Sequence, residues 1–479
     1  MLAQIYNQID TAIKWVDDRI WGLPLIILIL TTGIYLTVRL GGLQIRHLPK
    51  ALRFMVKNEE EGHGEVTSFG ALCTALSATI GTGNITGVAT AIAAGGPGAL
   101  FWMVVAAFFG MATKYAEGLL AIKYRTIDKE GHVLGGPFYY IENGMGKNWR
   151  WLAKIFAFFG AGVGLFGIGT FTQVNSIASA VKNFFDPNTE NAVQMFGNTY
   201  SWATVITCII LTVCVGLVVI GGLKRIAKVS EIVVPFMAVL YVVFVLIIMI
   251  THITEIPAAI VTIVKSAFTG SALAGGAMGT MVVAMQKGIA RGIFSNEAGL
   301  GTLAVLHGPA EHTTPWEQGM WAMFEVFFDT VVLCTLTALV ILCTSQGDIE
   351  TFSLTGAALA AACFSARSGI VGKWFISVSM VVFAFATVIA WYYLGQQAVV
   401  YLKEKTGILH LHILYPILFL LAVFAGGCIR LEAIWMLSDL WNGLMAFFNL
   451  TALLFLSGEV CIPDHSDLFN TTKKTPHVK

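Results

Sequence analysis

Ser77-Ala78-Thr79-Ile80-Gly81-Thr82-Gly83-Asn84-Ile85-Thr86-Gly87 lies inside an apolar run reaching from about residue 69 to 94, long enough to cross a bilayer as a helix. Its middle is packed with Gly, Thr and Asn, which are poor helix formers. In hydrocarbon an interrupted helix leaves N–H and C=O groups without partners, each costing several kcal/mol. A break here therefore predicts a place where protein, water or a solute takes those groups. The competing reading is a close helix crossing, because small residues also let helices approach.

Composition fixes the setting. Of 479 residues, 56% are hydrophobic and 12% charged, about half the charged share of soluble domains, so the chain reads as a polytopic membrane protein. A net charge of +1 offers no basic surface for nucleic acid. The eight Cys are scattered through apolar segments with no Cys-x-x-Cys and no His pairing at metal spacing, and read as small buried hydrophobes.

Working outward, residues 1–21 carry Ile5, Ile9, Ile13 and Val16 on one helical face, the pattern of a helix lying on the membrane surface; the start is not basic and does not read as a signal peptide. A first span covers about 22–38. Arg39, Arg46, Lys50, Arg53 and Lys57 follow it and mark a cytoplasmic loop, which puts the N-terminus outside. Further spans are expected at 67–94 (interrupted), 99–121, 153–181, 200–220, 231–250, 269–290 (interrupted), 317–343, 374–401, 408–427 and 432–457. A short amphipathic segment is expected at 255–268 and an outside loop at 344–372. Loops bearing Lys123 and Arg125, Lys224 and Arg225, and Lys403 and Lys405 fall on the inside, as does the Lys-rich C-terminus.

The second interruption is Gly270-Ser271-Ala272-Leu273-Ala274-Gly275-Gly276-Ala277-Met278-Gly279. Each interrupted span is the first of five, and an odd number of spans turns the second unit upside-down relative to the first. The expected architecture is thus all-α, with eleven transmembrane helices: a LeuT-type five-plus-five inverted repeat preceded by one extra helix. Residues 1–64 form the leading segment, 65–252 the first repeat, 253–460 the second and 461–479 a cytoplasmic tail.

Unwound backbone offers N–H groups to an anion and carbonyls to a cation, which matches an amino-acid carboxylate and a sodium ion held by oxygen ligands. Thr79, Thr82 and Asn84 are hydrogen-bonding candidates in the first break. Gln173 reads either as helix glue or as a ligand reader, and the Thr387 hydroxyl either as a donor to its own helix or as part of a site. Asp329 and Asp439 lie within apolar spans as paired structural acids or proton relays. An aspartyl-protease reading finds no Gly-x-Gly-Asp arrangement, so no enzyme activity is expected. Lys114 and Glu117 should snorkel or pair. The histidines look isolated and receive no role.

Ser77–Gly87 together with the following Val88-Ala89-Thr90-Ala91-Ile92-Ala93-Ala94-Gly95-Gly96-Pro97-Gly98 resembles the alanine or glycine:cation symporter family. So do Gly135-Gly136-Pro137-Phe138-Tyr139-Tyr140-Ile141-Glu142, Arg291-Gly292-Ile293-Phe294-Ser295-Asn296-Glu297-Ala298-Gly299-Leu300-Gly301 and the stretch from Asp329 to Leu342. The resemblance implies a bacterial or archaeal plasma-membrane symporter of LeuT-type fold. It would take up small neutral amino acids with sodium, without a cofactor or an obligate protein partner. It places substrate against Thr79, Gly81, Thr82, Gly83, Gln173, Gly276, Ala277 and Met278. It implies sodium at the carbonyls of Ser77, Ile80 and Phe383 with the Thr387 hydroxyl. Ala277 stands where the family carries an aromatic residue and implies a larger pocket; Ala386 replaces a hydroxyl residue and Gln396 a glutamate. A proton-coupled symporter and a passive channel are the alternatives.

Overall fold

The computed structural model describes residues 23–54, 65–128, 131–186, 188–190, 192–195, 198–268, 277–311, 313–345, 354–407, 411–429 and 431–462. The expected surface helix at 1–21, the glycine-rich 269–276 and the tail beyond 462 lie outside the described residues. Seven described helical stretches are long and apolar enough to cross a membrane: 98–123, 147–185, 202–219, 222–251, 315–345, 356–406 and 438–459. Four shorter apolar helices, Leu23–Arg39, Ser68–Thr79, Ile256–Phe268 and Leu411–Gly426, complete the main set.

Local chemistry sets several boundaries. The Thr67 hydroxyl accepts from Gly70 N at 2.9 Å and starts helix Ser68–Thr79. Ser201 does the same for helix Trp202–Val219 through Ala203 N. At Pro315–Val326, Thr314 and Glu317 form a capping box with proline in the first turn. Helices Trp202–Val219 and Gly222–Thr251 keep Ile206, Ile210, Val213, Leu217, Phe236 and Val239 exposed. An apolar outer surface of this extent is what a lipid-facing helix presents. Helix Gly98–Lys123 is the centre of the bundle: it packs on Pro315–Val326 and Ala277–Asn296, and its inner two-thirds is almost wholly buried.

Four features depart from the span map. The stretch expected as one helix over 153–181 is two, Arg150–Phe166 and Phe171–Phe185, separated at residues 167–170. There Gly169 lies so close to Trp391 that a Cβ would stand 1.8 Å from the ring, so no larger residue fits. The loop expected over 344–372 is helical from Gly356, within a helix that runs to Thr406 and bends at Gly369, whose φ of 60° only glycine adopts readily. The span expected at 317–343 contains a π-helical stretch, Phe327–Cys334, that carries Asp329. Finally, helix Ala277–Asn296 gives way to a non-helical segment at 297–303 before the short helix Ala304–His307. Two small hairpins decorate the ends: β1 (Thr126–Ile127) with β2 (Val133–Leu134), and β3 (Ala192–Met195) with β4 (Asn198–Ser201), both antiparallel.

Candidate functional site

The helix begun at Ser68 ends at Thr79, and a new one starts at Thr86 after a single 3-10 turn at Thr82–Asn84. The backbone bookkeeping of this break is explicit. Gly81 N–H, which would have continued the helix onto the Ser77 carbonyl, donates to Asn84 Oδ1 at 3.0 Å. Thr82 N–H, due to the Ala78 carbonyl, donates to Gln173 Oε1 at 3.0 Å. The Ala78 carbonyl accepts instead from Trp391 Nε1 at 3.4 Å. The Ile80 carbonyl meets the Thr387 hydroxyl at 3.4 Å, and the same hydroxyl reaches the Phe383 carbonyl at 3.1 Å. Three remote side chains and one local one thus take over what helix continuation would have satisfied, as a dry interior requires. Gly81 is tightly enclosed: a Cβ there would come within 2.6 Å of Thr387 Oγ1 and 2.9 Å of Gln173 Oε1.

The residues singled out from the sequence distribute as follows. Ile80, Phe383 and Thr387 come together through oxygen atoms, and both alternatives for Thr387 coexist, since its hydroxyl serves its own helix and the break at once. Ser77 stands one turn earlier; its hydroxyl donates to the Thr74 carbonyl and accepts from Ser230. Thr79 turns its hydroxyl back onto the Ala75 and Leu76 carbonyls, both at 3.3 Å. Thr82 Oγ1 is buried and has no hydrogen-bond partner among the described residues. Gln173 bridges the break to the bend at 167–170, donating from Nε2 to the Ile168 carbonyl at 2.9 Å.

Of the residues expected from the second break, Gly276 lies outside the described residues, and Ala277 and Met278 open helix Ala277–Asn296. Gly83 packs against Ser295, with a Cβ at Gly83 falling 3.2 Å from Ser295 Cα. Ala277 begins the same continuous helix 18 residues earlier, about 27 Å away along the axis at 1.5 Å per residue. The structure therefore faces the first break with the far end of this helix and the non-helical 297–303, not with residues 277 and 278. The described helices end at Phe268 and resume at Ala277, so the interruption expected at 270–279 falls mostly outside the described residues, and a separate non-helical turn follows at Glu297–Gly301.

Asp329 ties the two together. Its Oδ1 accepts from Asn84 Nδ2 at 2.7 Å, and its Oδ2 from Ser295 Oγ at 2.8 Å and Thr330 Oγ1 at 2.7 Å. Asn296 Nδ2 donates to Thr330 Oγ1 at 3.0 Å. Asp329 is thus an acceptor hub between the first break and the end of the second broken helix, while Asp439 pairs with Arg291 at 3.0 Å. The sequence reading missed Trp391 and Ser230. Trp391 was findable as the residue one turn beyond Thr387 on the same helix face; Ser230 had been placed outside the bilayer by a span boundary set too late.

A cavity of about 870 Å³ opens on the face bearing the 123–135 and 402–407 segments. Glu65, Tyr139, Tyr393, Gln396 and Lys403 line it, and none of the break residues does. At its rim, burial raises the Glu142 carboxyl, but the Tyr401 hydroxyl, Arg150 and Lys405 outweigh that and hold it below the ordinary carboxylate range.

Comparison with known proteins supplies the context for this geometry. The profile described as the sodium:alanine symporter family matches residues 6–477. The chain is similar to the sodium/alanine symporter AgcS of Methanococcus maripaludis, 43% identical over 472 residues that cover 96% of this chain and 97% of the relative. It is also similar to the probable sodium/glutamine symporter GlnT of Bacillus subtilis, 36% identical over 444 residues, 92% of this chain and 87% of that one. Among solved structures, MhsT in complex with L-phenylalanine superposes with a TM-score of 0.55 over 87% of this chain and 94% of the other, at 14% identity, a likeness of fold alone. The helical bundle is accordingly of LeuT type. With a broken helix whose backbone is handed to remote side chains and a match along nearly its whole length, the chain belongs to the sodium:alanine symporter family: a multi-pass membrane transporter of the amino-acid symport class, not an enzyme.

Proposed function

We propose that the protein imports a small neutral amino acid together with sodium by alternating access, across the bacterial inner membrane, with its N-terminus outside and its C-terminus in the cytoplasm. The observation that carries this reading is the convergence of the Ile80 and Phe383 carbonyls on the Thr387 hydroxyl, beside the Thr82 N–H and its unpartnered hydroxyl. Oxygen atoms of this kind suit a hard monovalent cation. Ser77 joins them through the carbonyl that Gly81 N–H no longer occupies. The neighbouring N–H and hydroxyl suit a carboxylate, and Gln173 Oε1 holds the place a carboxylate oxygen would take on Thr82 N–H. On this reading substrate binding displaces or rotates the Gln173 amide, and Gly81 and Gly83 keep the backbone approachable.

Thr79 supports the site through its backbone, its hydroxyl being committed to its own helix. Ala277, about 27 Å along its helix from Ser295, has no part in this reading of the pocket. Substrate size is therefore set by Gln173, Trp391 and Ser295. Sodium bound at the carbonyls would fix the broken helix in the geometry that receives substrate, and release to the cytoplasm would follow through the polar cavity lined by Gln396 and Lys403.

Two rival readings make different demands. In a proton-coupled symporter Asp329 would exchange the proton, yet Asn84, Ser295 and Thr330 all donate to it, which is the environment of a brace. A passive channel would not accumulate substrate. Uptake by proteoliposomes of a panel containing alanine, glycine and glutamine, with inward sodium or with a proton gradient at zero sodium, separates all three. Accumulation that needs sodium is expected; accumulation driven by protons alone, or equilibration without accumulation, overturns the proposal.

A further inference from the structure

His307, expected to be isolated, is 1% exposed and sits among charges. Its Nε2 lies 3.2 Å from Glu325 Oε2, and its Nδ1 lies 2.6 Å from Gln318 Nε2. Glu325 Oε1 is 3.9 Å from Lys114 Nζ, which is 3.8 Å from Glu117 Oε2. Glu297 is within electrostatic reach of Lys114, Glu325 and Asp329. Three buried carboxylates, Glu117, Glu297 and Glu325, therefore surround one ammonium. Lys114 Nζ, Glu117 Oε2, Glu297 Oε1, Glu325 Oε1 and Gln318 Oε1 have no hydrogen-bond partner among the described residues.

Other elements pack on the turn Ala304–His307 as well. Helix Ser68–Thr79 carries Cys73 as its titratable side chain. The buried titratable groups of helix Gly356–Thr406 are Cys363, Tyr392, Tyr393 and Tyr401, thiol and phenols that are ordinarily neutral near pH 7. Arg125 reaches the turn's exit, donating to the Gly308 and Ala310 carbonyls. The side chains around His307 thus include three acids beside the two bases Lys114 and Arg125.

The partners of the ring serve two protonation states. In the neutral ring Nε2–H donates to Glu325 and Nδ1 accepts from the Gln318 amide nitrogen. Turning that amide about its last bond brings the unpartnered Oε1 to Nδ1, where it accepts from a second ring proton. Histidine is the side chain whose ordinary charge change falls between about pH 5 and 8. The proton comes from bulk water, and no bond other than N–H forms.

The residues just after His307 hold the broken helix. Ala310 N donates to the His307 carbonyl at 3.1 Å. Residues Val66 and Ala310 pair as a parallel bridge, Glu65 N donates to the Pro309 carbonyl at 3.0 Å, and Glu311 N to the Val66 carbonyl at 2.8 Å. Ser68 Oγ adds a bond to the Glu311 carbonyl at 3.0 Å. These bonds latch the start of helix Ser68–Thr79 on both sides of its cap, Thr67.

We propose that His307, between Glu325 and Gln318, is a buried proton-binding site that reads the pH on the side where residues 308–311 lie and sets how firmly they latch the start of the broken helix. The proposal adds regulation to the transport reading, and its test uses neither sodium nor amino acid, so failure of uptake and failure of this site are told apart. The full-length protein, labelled with 15N-histidine in lipid nanodiscs, is titrated from about pH 5 to 8. The ring signal lost in His307→Gln should pass from one to two protonated nitrogens, and Gln318→Met should displace that same signal if His307→Gln does not fold. A ring that keeps one state throughout overturns the site. Amide exchange in 65–68, normalised to the intrinsic rate, should change about threefold or more between the ends of the range and lose that change in His307→Gln. Unchanged protection, or a change abolished by His132→Gln instead, overturns the latch.

Discussion

The break at Ile80–Ile85 and the non-helical 297–303 face each other through Asp329, yet their freed N–H groups are taken by different kinds of partner. At the first break the N–H groups go to neutral acceptors, Asn84 and Gln173, while Thr387 and Trp391 donate to the freed carbonyls. At the second, Glu117 Oε1 accepts from Gly299 N and Gly301 N, both at 3.1 Å, and from Asn449 Nδ2 at 2.7 Å. A buried carboxyl oxygen already sits on the second set of N–H groups, so that turn is closed by a partner built into the fold. The Gln173 amide gives up one bond to Thr82 N–H when a carboxylate arrives, whereas displacing Glu117 would break three hydrogen bonds at one buried oxygen. The first break is thereby the exchangeable one.

The largest effect is expected for Glu117→Gln. It leaves Lys114 without its close carboxylate on the same helix and weakens the hold on the second turn, at about 3–5 kcal/mol for a broken buried pair. Folded yield on size exclusion should collapse. A well-folded variant with altered amino-acid affinity would instead make the second turn part of the substrate site and dissolve the contrast. Gln173→Ala comes next: Thr82 N–H loses its acceptor, a penalty of about 1–3 kcal/mol. The protein should fold, and the half-saturation concentration for amino acid should shift roughly tenfold, since 1.4 kcal/mol corresponds to a factor of ten. An unchanged value would reduce Gln173 to a brace for the 167–170 bend.

Thr387→Val tests the cation half of the first break. Losing a hydroxyl worth about 0.5–1.5 kcal/mol should raise the sodium half-saturation several-fold, with Thr387→Ser restoring it. Equal sodium dependence in both variants would move the cation elsewhere. The smallest effect concerns the rim. Because Glu142 is held below the ordinary carboxylate range in the folded protein, its ion pairs stabilise above that range and are lost as pH falls below it. The melting-temperature deficit of Glu142→Gln should be fully present above the ordinary Glu value of about 4.3 and fade only as pH falls through the lower value of the folded protein. A deficit independent of pH would assign it to packing.

Much of this contrast was legible in the chain. Gly81, Thr82 and Gly83 in an apolar run announce a break because their helix cost is intrinsic and hydrocarbon offers no relief. The second interruption expected at 270–279 falls mostly outside the described residues, between helices ending at Phe268 and starting at Ala277, and the turn at Glu297–Gly301 was not expected. That turn depends on Glu117, which is 180 residues earlier and reads locally as a snorkelling acid. Gln173 stood out as an amide in an apolar span, but the bend at 167–170 did not, because its apolar flanks read as one span. Asp329 was visible as an anomaly; its partners Asn84 and Ser295 come from different helices and could not be paired by spacing.

The sequence by itself determined that the chain lives in a bilayer and that one of its helices must break at Gly81. Those follow from hydropathy, loop charge and backbone propensity, all of which act locally. Only the tertiary structure decided who receives the freed backbone groups, that Asp329 braces one break against the other, and that His307 sits among charges. Such pairings are set by helix packing across hundreds of residues, and no local energy term records them.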